Sequence, residues 1–252
     1  MQRTTYFKSF DRLLEISNIV LIAPLNETFM TSSLTLLQGP TLKPLSQTSP
    51  KHLVVLLHGY GSNGADLIAI GRAWHKLLPT TEFVAFNAPF PCLGSPYAES
   101  YQWFDLRDFD PTLMDAGLSQ AVPLLNASID KYLEERGLSD DNLALVGFSQ
   151  GTMMALRAGL ARKRPCAGIV GYSGTFINGT TTTVTSLPEI LLIHGDQDPV
   201  VDIANLSQSA QGLSLLGAKV RTHICKDLDH SIDNVGSTMG GQFLREAFLD
   251  HS

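Results

Sequence analysis

Asn142-Leu-Ala-Leu-Val-Gly-Phe-Ser-Gln-Gly-Thr-Met-Met-Ala-Leu156 is the stretch that decides the fold. Leu143-Ala-Leu-Val146 is an apolar run of buried-strand length, and Thr152 to Ala161 reads as a helix. Between them lies Gly147-Phe-Ser149-Gln-Gly151. Strand, G-x-S-x-G, helix is the context a nucleophile elbow requires. There the serine sits on a tight, strained turn that lifts its hydroxyl above the sheet edge. Side chains at 147 and 151 would clash with the adjoining strand and helix, so both positions want glycine. The helix N-terminus also turns its free N–H groups toward chemistry at Ser149. A plain strand-to-helix turn is the competing reading, and the rest of the chain has to decide.

Working outward, residues 53–57 (Leu-Val-Val-Leu-Leu) form a continuous apolar run, as expected of a strand buried on both faces. Runs at 83–86, 167–171 and 190–193 read the same way, with a further strand at 219–224 and an edge strand at 34–38. Helical spacing is expected over 65–78, 114–136 with a bend at Pro123 and a stop at Gly137, 203–216 and 235–249. Residues 90–110 read as a loop, and Asn178-Gly-Thr-Thr-Thr-Thr as a polar surface loop. Strands alternating with helices predict a doubly wound, mostly parallel α/β sheet, in one domain over residues 31–252 without a large cap.

Composition narrows the function classes. The 252-residue chain is 44% hydrophobic with a net charge of −6. That mild acidity, without a basic stripe, argues against nucleic acid as a partner. No run reaches membrane-spanning length, so stable membrane insertion is not expected. Cys92, Cys166 and Cys225 lack metal or redox spacing and are expected as buried thiols in a reducing compartment. Arg3, Lys8 and Arg12 precede the short apolar run Ile19-Val-Leu-Ile-Ala23, which has the outline of a secretory signal. Asp11 and Glu15 break the basic segment, and Pro24 stands where small residues belong, so a cytoplasmic location is expected. Residues 1–30 are treated as an N-terminal extension, with Met30 an alternative start.

In such a sheet, ligands bind beyond the carboxyl ends of the strands. The candidate chemistry falls there: Ser149, then His194-Gly-Asp-Gln-Asp198-Pro-Val-Val201, then Asp227-Leu-Asp-His230. A serine hydroxyl needs a base to take its proton, and His230 is the candidate. The imidazole needs a carboxylate behind it. Asp198 and Asp196 share the right turn; Asp198 is preferred because the turn reaches furthest just before Pro199, leaving Asp196 to hold local backbone. Asp227 and Asp229 read as loop charges able to raise the pKa of His230. His58 and His194 precede glycine turns and are expected to hold those loops, whereas His52, His75, His223 and His251 are taken as surface residues. The expected oxyanion donors are the backbone N–H groups of Gln150 and Tyr60. Phe90, Leu93, Tyr97, Tyr101, Trp103 and Phe104 cluster in one loop, and an apolar acyl groove is expected there, with Leu93, Tyr97, Trp103 and Phe104 as substrate-binding residues.

Four blocks, in order, resemble the phospholipase/carboxylesterase family of α/β-hydrolases, which includes bacterial carboxylesterases and acyl-protein thioesterases. They are Leu56-Leu-His-Gly-Tyr-Gly61, Gly147-Phe-Ser-Gln-Gly151, His194-Gly-Asp-Gln-Asp-Pro-Val200 and Asp229-His230-Ser231. Trp103-Phe104-Asp105 resembles the family's Trp-Phe-Asp segment beside the acyl pocket. The resemblance runs from about residue 34 to the C-terminus. It implies the α/β-hydrolase fold, the triad Ser149, Asp198 and His230, no cofactor, and a small-molecule acyl ester or thioester as substrate. A monomer or homodimer is expected. Thr152 departs from the Gly or Ala common at that position and is expected to be harmless helix packing. Dienelactone hydrolases carry Cys at the elbow, where this chain has Ser149.

Overall fold

A computed structural model describes residues 35–93, 99–106 and 109–250. The extension expected over 1–30 lies outside the described residues, as does His251. In chain order the elements are β1 (Thr41–Leu42), β2 (His52–Leu57), α1 (Gly64–Trp74), β3 (Thr81–Phe86), β4 (Phe90–Pro91), β5 (Tyr101–Gln102) and α2 (Pro111–Arg136). They continue with β6 (Leu143–Phe148), α3 (Gln150–Leu160), β7 (Gly168–Tyr172), β8 (Ile190–Gly195), α4 (Ala204–Leu215), β9 (Val220–Cys225) and α5 (Asn234–Asp250).

Among the described residues the main sheet has seven strands in the order β1-β3-β2-β6-β7-β8-β9. All pairs are parallel except β1 with β3. The continuous apolar runs follow from burial on both faces. Along β2, Leu53, Val55 and Leu57 enter one core with Leu118, Leu125 and Ile129 of α2 and Met154 of α3. Val54 and Leu56 enter the other, with Ile68 and Trp74 of α1 and Phe243 and Leu244 of α5. The sheet is thus a layer between two sets of helices, and its carboxyl edge, where β6, β7, β8 and β9 end side by side, is left for loops.

Helix α2 starts three residues before the expected position. Asp110 caps it, its Oδ1 accepting the N–H groups of Thr112 (2.8 Å) and Leu113 (3.0 Å), and Pro111 fits the first turn because it has no N–H to leave unpaired. Gly137 ends it with φ 64°.

Several expectations are corrected. The edge strand is Thr41–Leu42, not 34–38. Its approach is already paired, with the Gln38 and Pro40 carbonyls accepting from Asn87 N (2.8 Å) and Ala85 N (3.0 Å). The strand expected at 219–224 is present as β9, at an edge of the sheet with Ile224 exposed. Residues 90–110 are not wholly loop, since β4 and β5 pair antiparallel. The polar loop expected at 178–183 is at the surface, and it is tied down to two helices. Buried Asp115 on α2 and Arg157 on α3 form an ion pair, and Thr181 gives Asp115 both its N–H (3.0 Å) and its hydroxyl (2.7 Å). Arg157 also donates to Ile177 O at 2.9 Å. Burial pushes the Asp115 carboxyl up, but hydrogen bonds from Arg157 and Thr181 outweigh it and bring the pKa down to about 2. His52 and His75 are not bare surface residues: His52 stacks on Phe248 at 4.1 Å, and His75 Nε2 bonds Lys43 O at 2.8 Å.

Candidate active site

The elbow is built by close contact. Ser149 holds φ 53° and ψ −117°, in left-handed territory that side chains other than glycine rarely adopt. Its N–H donates to Tyr172 O at 2.8 Å, tying the turn to the end of β7. A Cβ on Gly147 would fall 2.3 Å from Gly151 O, and one on Gly151 would fall 1.8 Å from Leu57 O. Neither position has room for a side chain. Thr152 is accommodated because its hydroxyl donates to Tyr172 O at 2.8 Å and glycines face it at 171 and 174.

The β8 and β9 turns bring carboxylate and imidazole together. Asp198 Oδ1 accepts the N–H groups of Val200 and Val201, both at 2.9 Å, and Oδ2 lies 2.7 Å from His230 Nδ1. Burial pushes the Asp198 carboxyl up, but the His230 hydrogen bond and the two backbone N–H groups hold it below its ordinary value. An ionised carboxylate only accepts, so His230 donates its Nδ1–H to Asp198. The His230 ring sits 4.8 Å from that of Phe148, the residue before Ser149. Asp196 is used differently: its Oδ1 accepts Asp227 N at 2.7 Å, binding the two turns together. Gly195 lets them touch, since a Cβ there would fall 2.2 Å from Leu228 O. Asp229 Oδ1 accepts the Ser231 hydroxyl at 2.5 Å.

The loop after β2 lies beside the nucleophile, because a Cβ on Gly59 would come 3.3 Å from Ser149 Cβ. His58 holds it. Its Nε2 accepts Ala88 N at 3.0 Å, so Nδ1 bears the proton and donates to Gly59 O at 2.7 Å. Burial lowers its pKa to about 4, against the opposing Gly59 bond, which keeps the ring neutral. Gln150 opens α3, in the first turn, where N–H groups lack intrahelical acceptors. Among the described residues no group of three or more His, Cys, Asp or Glu could hold a metal ion.

Residues 45–246 match the sequence profile of the phospholipase/carboxylesterase family. The chain belongs to that family. It is 28% identical over 201 residues to esterase YpfH of Escherichia coli, spanning 80% of this chain and 85% of YpfH. It is 30% identical over 169 residues to acyl-protein thioesterase 1 of Schizosaccharomyces pombe, spanning 64% of this chain and 74% of that protein. Among solved structures it resembles esterase PE8, at 41% identity and a TM-score of 0.79 over 84% of this chain and 99% of PE8. The α/β-hydrolase fold expected from the motifs is the fold of this family member.

The expected substrate loop is placed unevenly. Tyr97 lies outside the described residues. Leu93 is 87% exposed, whereas Trp103 is fully buried, its Nε1 donating to His58 O at 2.9 Å. Trp103 is therefore core, because its one polar atom is satisfied inside the protein and its ring has no open face. Phe104 is nearly buried but walls a cleft of about 380 Å³ with Phe90, Gln102, Phe109, Leu113 and Gly117. Ser149, Asp198 and His230 do not line that cleft. Two contacts escaped the sequence reading. His194, expected only to hold a loop, bonds Val201 O at 2.8 Å and also places Nε2 3.2 Å from Asp198 Oδ2. Its spacing of four from Asp198 across one turn was the available signal. The Gln150 side chain bridges Trp103 N (3.0 Å) and Phe104 O (2.8 Å); nothing local signals that.

Proposed function

We propose that this protein is a serine hydrolase that cleaves carboxylic esters of short to medium acyl chains through an acyl-enzyme on Ser149. The observation that carries the reading is the Asp198–His230 contact of 2.7 Å beyond a sheet edge where Ser149 is strained upward on its elbow. His230 Nε2 takes the Ser149 proton as Oγ attacks the acyl carbonyl, and Asp198 stabilises the imidazolium that forms. Gln150 and Tyr60 supply the backbone N–H groups facing the oxyanion, an arrangement in which one donor is worth about 3–4 kcal/mol of barrier. Collapse of the tetrahedral intermediate breaks the carbonyl–oxygen bond, and His230 gives its proton to the departing alcohol. Water, deprotonated by the same nitrogen, then releases the acid and restores the hydroxyl. Every proton is returned, so the cycle requires no cofactor.

A thioester leaving group is a second reading, supported by the likeness to acyl-protein thioesterase 1. The same site serves it, with a thiol leaving in place of the alcohol; lysophospholipids are further ester candidates. Phe104 and the cleft it walls are the proposed seat of the acyl chain, and Leu93 and Tyr97 are proposed as further substrate-binding residues. We place the protein in the cytoplasm, as a monomer or homodimer. Three buried free thiols support a reducing compartment, and among the described residues no helix is long and apolar enough to cross a membrane.

The test is hydrolysis of a p-nitrophenyl ester series from acetate upward beside the matching thioesters, with Ser149→Ala and a fluorophosphonate label run in parallel. Turnover lost in the variant, with label confined to Ser149, is expected. Turnover surviving in Ser149→Ala sinks the assignment.

A further inference from the structure

We infer that the side chain of Gln150 is a positioning strut that holds the two halves of the oxyanion hole in register, with Trp103 as its cross-brace. This rests on the serine-hydrolase reading above. The two proposed donors sit on separate elements: Tyr60 on the loop after β2, Gln150 at the start of α3. Donors aimed at a developing charge work only if their separation is held within about 0.5 Å. Something must fix the loop against the helix.

Residues 101–104 do so from both sides. Toward the loop, Gly61 N donates to Tyr101 O and Tyr101 N to Ser62 O, each at 2.9 Å, and Trp103 Nε1 donates to His58 O at 2.9 Å. These bonds bracket Tyr60 fore and aft. Toward the helix, Gln150 Oε1 accepts Trp103 N at 3.0 Å and Nε2 donates to Phe104 O at 2.8 Å. The residue whose backbone N–H is one donor thus grips, through its own side chain, the segment that holds the other. Gln150 and Trp103 are fully buried and His58 nearly so, leaving no water to compete for these bonds. One carboxamide face accepts and the other donates, so neither a flipped amide nor an ionised carboxylate satisfies both partners. Phe104 anchors the segment to α2, where a Cβ on Gly117 would fall 2.5 Å from Phe104 Cβ.

The experiment compares Gln150→Met, which keeps the volume and removes both bonds, with Trp103→Phe, which removes the bond to His58. Trp74→Phe is the control, since it also removes a buried indole bond, to Ser237 O at 2.8 Å, but on α1 beneath the opposite face. For each, kcat and KM are measured per active site titrated with fluorophosphonate, with Tm and the Ki of a trifluoromethyl ketone that forms a tetrahedral adduct. Gln150→Met and Trp103→Phe are expected to lower kcat roughly ten- to hundredfold with KM nearly constant, and to weaken the ketone in proportion. Trp74→Phe is expected to lose comparable Tm with kcat within about twofold of the parent. If the two site variants lose Tm yet keep kcat like the control, the strut holds only the fold and the inference is overturned. A fall in kcat with the ketone unaffected overturns it equally. Should Gln150→Met fail to fold, Trp103→Phe, which keeps an aromatic ring in place, decides alone. Parent turnover that vanishes in Ser149→Ala leaves the serine-hydrolase reading standing under either result.

Discussion

Replacing Ser149 by glycine should make the protein inactive and more stable than replacing it by alanine. Both variants lose the hydroxyl, so the comparison isolates the Cβ. At φ 53° and ψ −117° a residue with a Cβ is strained by about 1–3 kcal/mol. Glycine adopts that conformation freely but has a more disordered unfolded chain, which costs roughly 0.5–1 kcal/mol relative to alanine. The difference favours Ser149→Gly by about 1 kcal/mol, within a span of about 0–2.5. For a domain of this size that raises Tm by about 2–4 °C. Equilibrium urea unfolding and thermal melts of the two variants, run side by side with an ester assay, measure it. If Ser149→Gly melts below Ser149→Ala by the usual glycine penalty, the elbow stores no strain. The account of how Ser149 is lifted above the sheet would then be wrong.

Breaking the buried Asp115–Arg157 pair with Arg157→Met should cost about 3–5 kcal/mol, because it leaves a carboxylate inside the protein without its cation; chemical denaturation reads this directly. The folded pKa of Asp115 is lowered from 3.8 to about 2, so the ionised carboxylate contributes stability above the unfolded value. That contribution should therefore be full in the parent above pH 4 or so and be lost as pH falls through about 2, which melts of the parent across that range would show. Asp198→Asn should leave the fold intact by circular dichroism yet lower kcat roughly 10³–10⁴-fold, since an amide no longer enforces the Nδ1–H tautomer of His230. Activity within tenfold of the parent would remove Asp198 from its proposed role.

What could be read in advance divides along physical lines. Gly147 and Gly151 announce themselves because a steric demand is written in one residue type, and the clashes a Cβ would make are with backbone a few residues or one strand away. The runs at β2 and β6 are equally plain, since burial on both faces leaves no room for polar alternation. Polar partnerships are different. Asp196 and Asp198 stand two residues apart in one turn, yet one binds Asp227 N and the other His230, and only the path of the β9 turn decides which. Trp103 looked like a groove wall because hydropathy does not separate a ring facing a ligand from one facing the core. Its role follows from a carbonyl 45 positions earlier. Asp115 and Arg157 are 42 residues apart on two helices, and each alone looks like a solvated charge. The edge strand was misplaced for a related reason, as Pro40 and Gln38 give their carbonyls to Ala85 N of β3 and to Asn87 N just past its end and leave no periodic mark. Gln150 is the extreme case: its backbone role could be read from the motif, while its side-chain role depends on two partners 46 and 47 residues away. The residues easiest to identify are therefore those that must be small, and the ones that hold them in register become visible only once the chain has closed around them.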